Sequence, residues 1–313
     1  MAEIKKVLIT GATGYIGRQL LSRLSQTGIK VSGLTRDKRS AGQMSVDFPA
    51  VDFRIGDALD YDSMFKATRG VDIIYYLLHA LESAPRHGAD EAAEKDRLMA
   101  QNTVRAAKTN GAQRIIYLGG MYNPAEKLSL HLQSRREVEE IITRSKIPFT
   151  VFRASVIIGP GAAAFELLRA AIEKMPIIPL PSWRKTLIQP IASGDALTYL
   201  AKAQQKPETL NRCFDIGGPE IVSYAKLIKD YSRTKGLKRI FCPVPGQWRT
   251  LTAAVLQRIA PVNPNITFWL VESLLNNMTA NPADTKELKT IYGFSPKPIF
   301  NQMLPNSQQP HNE

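Results

Sequence analysis

The segment that most limits what this chain can fold into is Thr10-Gly11-Ala12-Thr13-Gly14-Tyr15-Ile16-Gly17. It follows the apolar run Val7-Leu8-Ile9 and precedes a helical pattern in which Ile16, Leu20, Leu21 and Leu24 share one face before Gly28 closes the turn. This predicts a strand at 5–10, a helix at 15–27 and a second strand at 29–35, a βαβ unit of about thirty residues. In such a unit the first glycine permits the tight turn, the second lets the backbone approach a pyrophosphate, and the third lets the helix pack close to the sheet. The helix N-terminus adds amides and partial positive charge. The plainer alternative, a glycine-rich strand-to-helix turn with no ligand, fits this placement less well.

Further apolar runs predict strands at 51–55, 71–78, 113–119 and 148–153, with helices at about 90–110 and 131–145. Strands alternating with helices imply an α/β fold, a Rossmann-type doubly wound parallel sheet. The longest apolar run, Val71 to Leu81, includes Asp72 and falls well short of the roughly eighteen residues of a membrane span. After Gly159-Pro160-Gly161, Pro176, Pro179, Pro181 and Pro190 break the chain around an apolar helix at 162–174. Core-like segments return near Asp195 and at Cys213-Phe214-Asp215-Ile216. The expected organisation is a nucleotide-binding core over 1–158 with returning segments at about 186–220. A smaller, interleaved C-terminal substrate or lid region covers 159–185 and 221–304, and the polar tail 305–313 reads as disordered.

The balance of 41 Lys+Arg against 28 Asp+Glu gives a net charge of +13. Scattered cations without an aromatic-interleaved stripe or a nucleic-acid module argue against a nucleic-acid partner, and a polyanionic cofactor accounts for the charge as well. The first residues, Met1 to Lys6, lead into a strand without an apolar signal region, so export is not expected. Two cysteines, Cys213 and Cys242, at neither metal-ligand nor redox-pair spacing, suit free thiols in a reducing cytoplasm. His79 and His87 lack a third ligand at metal spacing, and no metal is expected.

Glycines at 11, 14 and 17 depart from the common Gly-x-Gly-x-x-Gly spacing. They resemble the extended and atypical short-chain dehydrogenase/reductases, which include nucleotide-sugar epimerases and NmrA-like proteins. The likeness runs over about 4–230. Gly56-Asp57-Ala58 resembles that superfamily's adenine-contacting element, Tyr76-Leu77-Leu78-His79 ends the strand flanking the nicotinamide, and Asn102 lies in the helix before the fifth strand. Phe152-Arg153-Ala154-Ser155-Val156-Ile157-Ile158-Gly159-Pro160-Gly161 resembles the strand and loop beside the nicotinamide. Pro190 to Ala196 and Phe214 to Glu220 also fall where such proteins have similar segments. The resemblance implies a cofactor held by Gly11, Thr13, Gly14, Tyr15, Ile16, Gly17, Asp57, Ala58, Leu77, Leu78, His79, Gly119, Ala154 and Ser155.

The choice of cofactor is read from Gly33-Leu34-Thr35-Arg36-Asp37. An NAD site places a carboxylate on the ribose hydroxyls, whereas a 2′-phosphate requires a cation. Thr35 occupies the acidic seat and Arg36 follows, with Lys38 and Arg39 adding charge, so NADP(H) is expected over NAD(H). The competing reading makes Asp37 the ribose carboxylate. For chemistry, conventional superfamily members use a serine at the fifth strand end and a Tyr-x-x-x-Lys pair on the next helix. Here those places hold Gly120, His131 and Arg135. This departure leaves His131 as the candidate proton donor and Arg135 as the candidate ribose holder, with Tyr122 a third candidate. In the plainer reading His131 is a polar first-turn residue and Arg135 its solvated neighbour.

Three functions follow from the resemblance: an NADPH-dependent oxidoreductase on a small carbonyl or quinone-like substrate, a noncatalytic NADP(H) sensor or assembly factor with a protein partner, and a nucleotide-sugar epimerase-like enzyme. Loss of the serine and tyrosine favours the second, and a roomy apolar pocket over the nicotinamide would favour the first. The stretch from Trp248 to Ile259 reads as an amphipathic helix that packs on the core or lids a pocket, in preference to touching a membrane surface.

Overall fold

The computed structural model describes residue 4 and residues 6–80, 89–246 and 248–299. The tail expected at 305–313 and His87 lie outside the described residues. The first half alternates as its pattern requires: β1 (Lys6–Thr10), α1 (Tyr15–Leu24), β2 (Lys30–Thr35), α2 (Lys38–Asp47), β3 (Asp52–Ile55), α3 (Tyr61–Ala67), β4 (Ile73–Tyr76), α4 (Ala89–Thr109), β5 (Arg114–Gly120), α5 (Leu130–Thr143) and β6 (Phe149–Ala154). Next come β7 (Ile157–Ile158), α6 (Ala163–Lys174), β8 (Ile177–Leu180), β9 (Leu187–Ile188), β10 (Ile191–Ala192), α7 (Ser193–Ala203) and β11 (Arg212–Ile216). The chain continues through β12 (Val222–Ser223), α8 (Tyr224–Thr234), β13 (Ile240–Pro243), α9 (Arg249–Ile259), α10 (Pro264–Glu272) and α11 (Pro282–Tyr292).

A seven-stranded sheet has the order β11-β6-β5-β4-β1-β2-β3. The pairs β1·β2, β2·β3, β1·β4 and β4·β5 are parallel. Helices cover such a sheet on both faces, so its central strands read as continuous apolar runs; Ile73 to Tyr76 are all buried. On one face Ile74, Ile115 and Val151 pack with Met99 and Ala100 of α4 and Val138 and Ile142 of α5. The expected strand at 71–78 is shorter than its apolar run because its neighbour turns away. Thr10 pairs with Tyr76 at the end of the ladder, and the next amide, Leu77 N–H, goes to the Thr10 hydroxyl at 3.3 Å.

The strand order reverses between β1 and β4. Successive strands β1, β2 and β3 run to one side, and β4, β5 and β6 to the other. In open α/β sheets, ligands bind beyond the carboxyl ends of strands at such a switch point. The glycine turn after β1 and the loop after β4 stand there.

The chain forms two compact units, each made of three segments: Met1–Gly120, Gln133–Arg153 and Leu197–Phe214 in the first, and Met121–Leu132, Ala154–Ala196 and Asp215–Glu313 in the second. Within the second, small two-stranded sheets pair β7 with β10, β9 with β12 and β8 with β13. The amphipathic pattern near 250 becomes α9, whose Ala253 and Leu256 pack with Leu167 of α6 and Val271 of α10. No helix among the described residues is long and apolar enough to cross a membrane.

Candidate functional site

The turn from Gly11 to Gly17 is shaped by close backbone approaches. Gly11 has φ +70, a conformation favouring glycine, and a Cβ on it would stand 2.7 Å from the Leu77 carbonyl oxygen. A Cβ on Gly17 would stand 2.1 Å from the Gly11 carbonyl oxygen. Gly14 donates its amide to Gly11 O at 3.0 Å and is the N-cap of α1, with no side-chain cap. The first-turn amides of a helix lack intrahelical acceptors, and here no capping oxygen takes them. A Cβ on Gly14 would meet only the Gly11 carbonyl, at 3.3 Å, so the space in front of this helix end is open. This uncapped cradle fits a pyrophosphate. Thr13 and Gly14 are exposed, and Tyr15 and Ile16 half-buried.

At the end of β2, Thr35 is buried and Arg36 exposed. Asp37 is the N-cap of α2: Oδ1 accepts the Ser40 amide at 2.9 Å and Oδ2 the Ser40 hydroxyl at 2.6 Å. These Ser40 bonds hold the Asp37 carboxyl below its ordinary value. Both oxygens of the competing carboxylate are thus engaged in capping.

After β3, the Asp57 carboxylate accepts the Leu59 amide at 3.0 Å, and the Asp57 amide donates to the Ser63 hydroxyl at 2.9 Å. The buried Asn102 on α4 donates to the Ala58 and Leu59 carbonyls at 3.0 and 2.9 Å. This explains an asparagine in that helix, which holds the Asp57–Ala58 loop by its backbone.

After β4, Leu77 and Leu78 are half-buried and His79 exposed. Beside them lies an ion pair absent from the sequence reading. Asp96 of α4 and Arg135 of α5 are bonded, with side-chain exposures of 3% and 6%. Asp96 also accepts the Ala80 amide at 2.7 Å and the Ser134 hydroxyl at 2.6 Å. Arg135 donates from its other terminal nitrogen to the Leu78 carbonyl at 3.0 Å, and its own carbonyl accepts the Tyr117 hydroxyl at 3.2 Å. Burial pushes the Asp96 carboxyl up, but Arg135, Ser134 and the Ala80 amide outweigh it and hold it below the usual range. Burial likewise opposes the Arg135 charge, and Asp96 more than restores it. Tyr76, buried nearby, has its phenol pushed well up by burial and by the Asp96 charge. Arg135 is therefore not the solvated neighbour of the plainer reading; it ties α5 to the loop after β4. Gly119, on β5, is buried, and the Tyr117 ring fills the space a side chain would need, with Cε1 2.8 Å from an added Cβ.

The remaining candidates belong to the second unit. Ala154 is buried and its carbonyl accepts the Met121 amide at 2.8 Å; the half-buried Ser155 hydroxyl accepts the Gln189 amide at 3.3 Å. Tyr122 and His131 are half-buried, and His131 stands in the first turn of α5, as expected.

A parallel sheet with an uncapped glycine turn at its switch point is a Rossmann-type α/β fold. The chain belongs to the NmrA-like family, whose model matches residues 3–291. It is 25% identical over 320 residues to the 3-diazoavenalumate denitrifying reductase of a Streptomyces species, covering 93% of this chain and 96% of that one. The NADPH-dependent quinone oxidoreductase of Escherichia coli, solved with NADPH, is similar in structure, with TM-score 0.73, 18% identity and coverage of 95% and 98% of the two chains. The UDP-glucuronic acid 4-epimerase of Bacillus cereus, solved with UDP-glucuronic acid and NAD, gives TM-score 0.70, 15% identity and coverage of 95% and 96%. The fold is thus one that reductases and epimerases share.

Proposed function

We propose that this chain is an NADPH-dependent oxidoreductase acting on a small carbonyl or quinone-like substrate. The capping of α2 by Asp37 carries the cofactor preference, because it engages both Asp37 oxygens with Ser40 rather than with ribose hydroxyls and leaves Arg36 exposed at the β2 end for a 2′-phosphate. The uncapped end of α1 would hold the pyrophosphate, the Asp57–Ala58 loop the adenine, and Leu77 to His79 with Gly119 the nicotinamide side. When bound, the reduced cofactor would supply a hydride. His131 would donate the proton to the substrate oxygen, a general-acid task that histidine side chains commonly perform. We assign Arg135 to holding the Leu78 carbonyl rather than the cofactor ribose, since its charge is already committed to Asp96.

A second reading, a nucleotide sensor or assembly factor, is favoured by the same commitment of Arg135 together with Gly120 and His131 in the places of serine and tyrosine. An epimerase loses most from the absent tyrosine. Calorimetry with NADPH and NADH should show clearly tighter binding of NADPH, and Arg36→Ala should erode the preference by about 1–3 kcal/mol. Equal affinities would remove the NADP assignment. NADPH oxidation with quinones, aldehydes and ketones tests the chemistry; firm NADPH binding without turnover on any of them selects the sensor.

A further inference from the structure

The first turn of α5 carries His131, and its cap is built from two distant parts of the chain. Ser129 is the residue before the helix, and its Oγ accepts the Leu132 amide at 3.3 Å, the bond expected of an N-cap serine. A capping box would return a second bond from a Glu or Gln side chain at the third helical position to the serine's own amide. That position is held by the buried Leu132, which cannot return it. Asn276 supplies the missing acceptor instead. Its Oδ1 accepts the Ser129 amide at 3.0 Å, and its Nδ2 donates to the Lys127 carbonyl at 2.9 Å.

The neighbouring bonds point the same way. Because the Ser129 Oγ accepts from Leu132, its proton is free for Ser273 Oγ at 3.1 Å, and Ser273 in turn donates to the Trp269 carbonyl at 3.1 Å. Asn277 gives its amide to Glu126 Oε2 at 3.1 Å and its side-chain Nδ2 to Oε1 at 2.7 Å. Asn276 and Ser273 are each 5% exposed, so these bonds are sheltered from water and costly to leave unmade. All these residues belong to the second unit.

We infer that Asn276 is a positioning residue for His131, completing from the far end of the chain the cap that fixes the first turn of α5. The inference rests on reading His131 as the proton donor, and it gives the region beyond residue 240 a part in the chemistry. An amide side chain is required because it must accept from Ser129 and donate to Lys127 at once. A carboxylate in its place would do only the first, so the Asn276→Asp variant retains the Ser129 bond and loses the Lys127 bond.

The test compares Asn276→Ala, Asn276→Asp and His131→Ala by amide hydrogen exchange, NADPH affinity and turnover. In Asn276→Ala, exchange at Ser129 and Leu132 should accelerate on the order of tenfold, the scale of a lost cap. Turnover should fall by a comparable factor through kcat, with NADPH affinity unchanged, and Asn276→Asp should restore part of both effects. The loss should not add to that of His131→Ala. Unchanged exchange at Ser129 and Leu132 overturns the inference even if the protein turns nothing over. So does full turnover in Asn276→Ala alongside loss in His131→Ala. Accelerated exchange with full turnover in His131→Ala instead leaves the cap standing and removes the proton-donor reading.

Discussion

Replacing Asp96 by Asn removes one negative charge from a site where Arg135 has little water to turn to. Asparagine has nearly the same volume and its carbonyl oxygen can still accept from Ala80, so the chief loss is electrostatic. Breaking a buried ion pair by removing one partner costs about 3–5 kcal/mol, because the surviving charge is left uncompensated. With both side chains at most 6% exposed, solvent screening does little to reduce this. For a protein of this size the loss corresponds to a fall in Tm of roughly 5–8 °C. Urea unfolding of wild type, Asp96→Asn, Arg135→Met and the double variant measures it, and the double variant should be less destabilised than the sum of the two single changes. The pH dependence has a definite sign. The Asp96 carboxyl is held low in the folded protein, so its contribution is complete above the unfolded aspartate value of about 3.9 and is lost as pH falls through the lower folded value. The gap between wild type and Asp96→Asn should stay flat from about pH 5 to 9 and close below about pH 4. A gap under about 1 kcal/mol at neutral pH would show that the pair is not energetically coupled as described.

The glycine turn separates two kinds of substitution. Gly14→Val should abolish NADP(H) binding by calorimetry while leaving Tm near wild type, because its side chain enters the open cradle. Gly17→Ala should instead lower Tm, since a methyl 2.1 Å from the Gly11 carbonyl forces backbone apart; the opposite pattern would misplace the cradle. Asn102→Ala removes two bonds to the Ala58 and Leu59 carbonyls and should cost about 1–3 kcal/mol in urea unfolding. His131→Ala should lose NADPH-dependent turnover with unchanged NADPH affinity, whereas undiminished turnover would leave solvent or Tyr122 as the proton source.

The central strands were legible because a strand buried on both faces reads as an unbroken apolar run. Where β4 ends was not legible, since the Thr10 hydroxyl takes Leu77 from across the sheet. The ambiguity between Arg36 and Asp37 was likewise open in sequence, and the Ser40 bonds show where Asp37 is engaged. Asp96 and Arg135 did leave a signal. Asp96 falls on the α4 face of Ala92, Met99, Ala100 and Thr103, and Arg135 on the α5 face of Leu132, Val138 and Ile142, all buried. A charge on an apolar helix face calls for a partner. Sequence spacing alone could not name it across 39 residues. The second unit was the least readable part, because β7, β9, β10 and β12 are two residues long and impose no periodicity.

The order of strands in the central sheet also sets a schedule for synthesis. β6 pairs with β11, and the Phe149 carbonyl accepts the Asn211 amide at 2.7 Å, so the outer partner of β6 is translated some 60 residues after it. Until that segment leaves the ribosome, β6 presents an unpaired apolar rim of the kind that recruits other chains. A chain cut near residue 160 would keep the glycine turn and still be prone to clump, whereas one extended past Ile216 could cover β6 with its own β11.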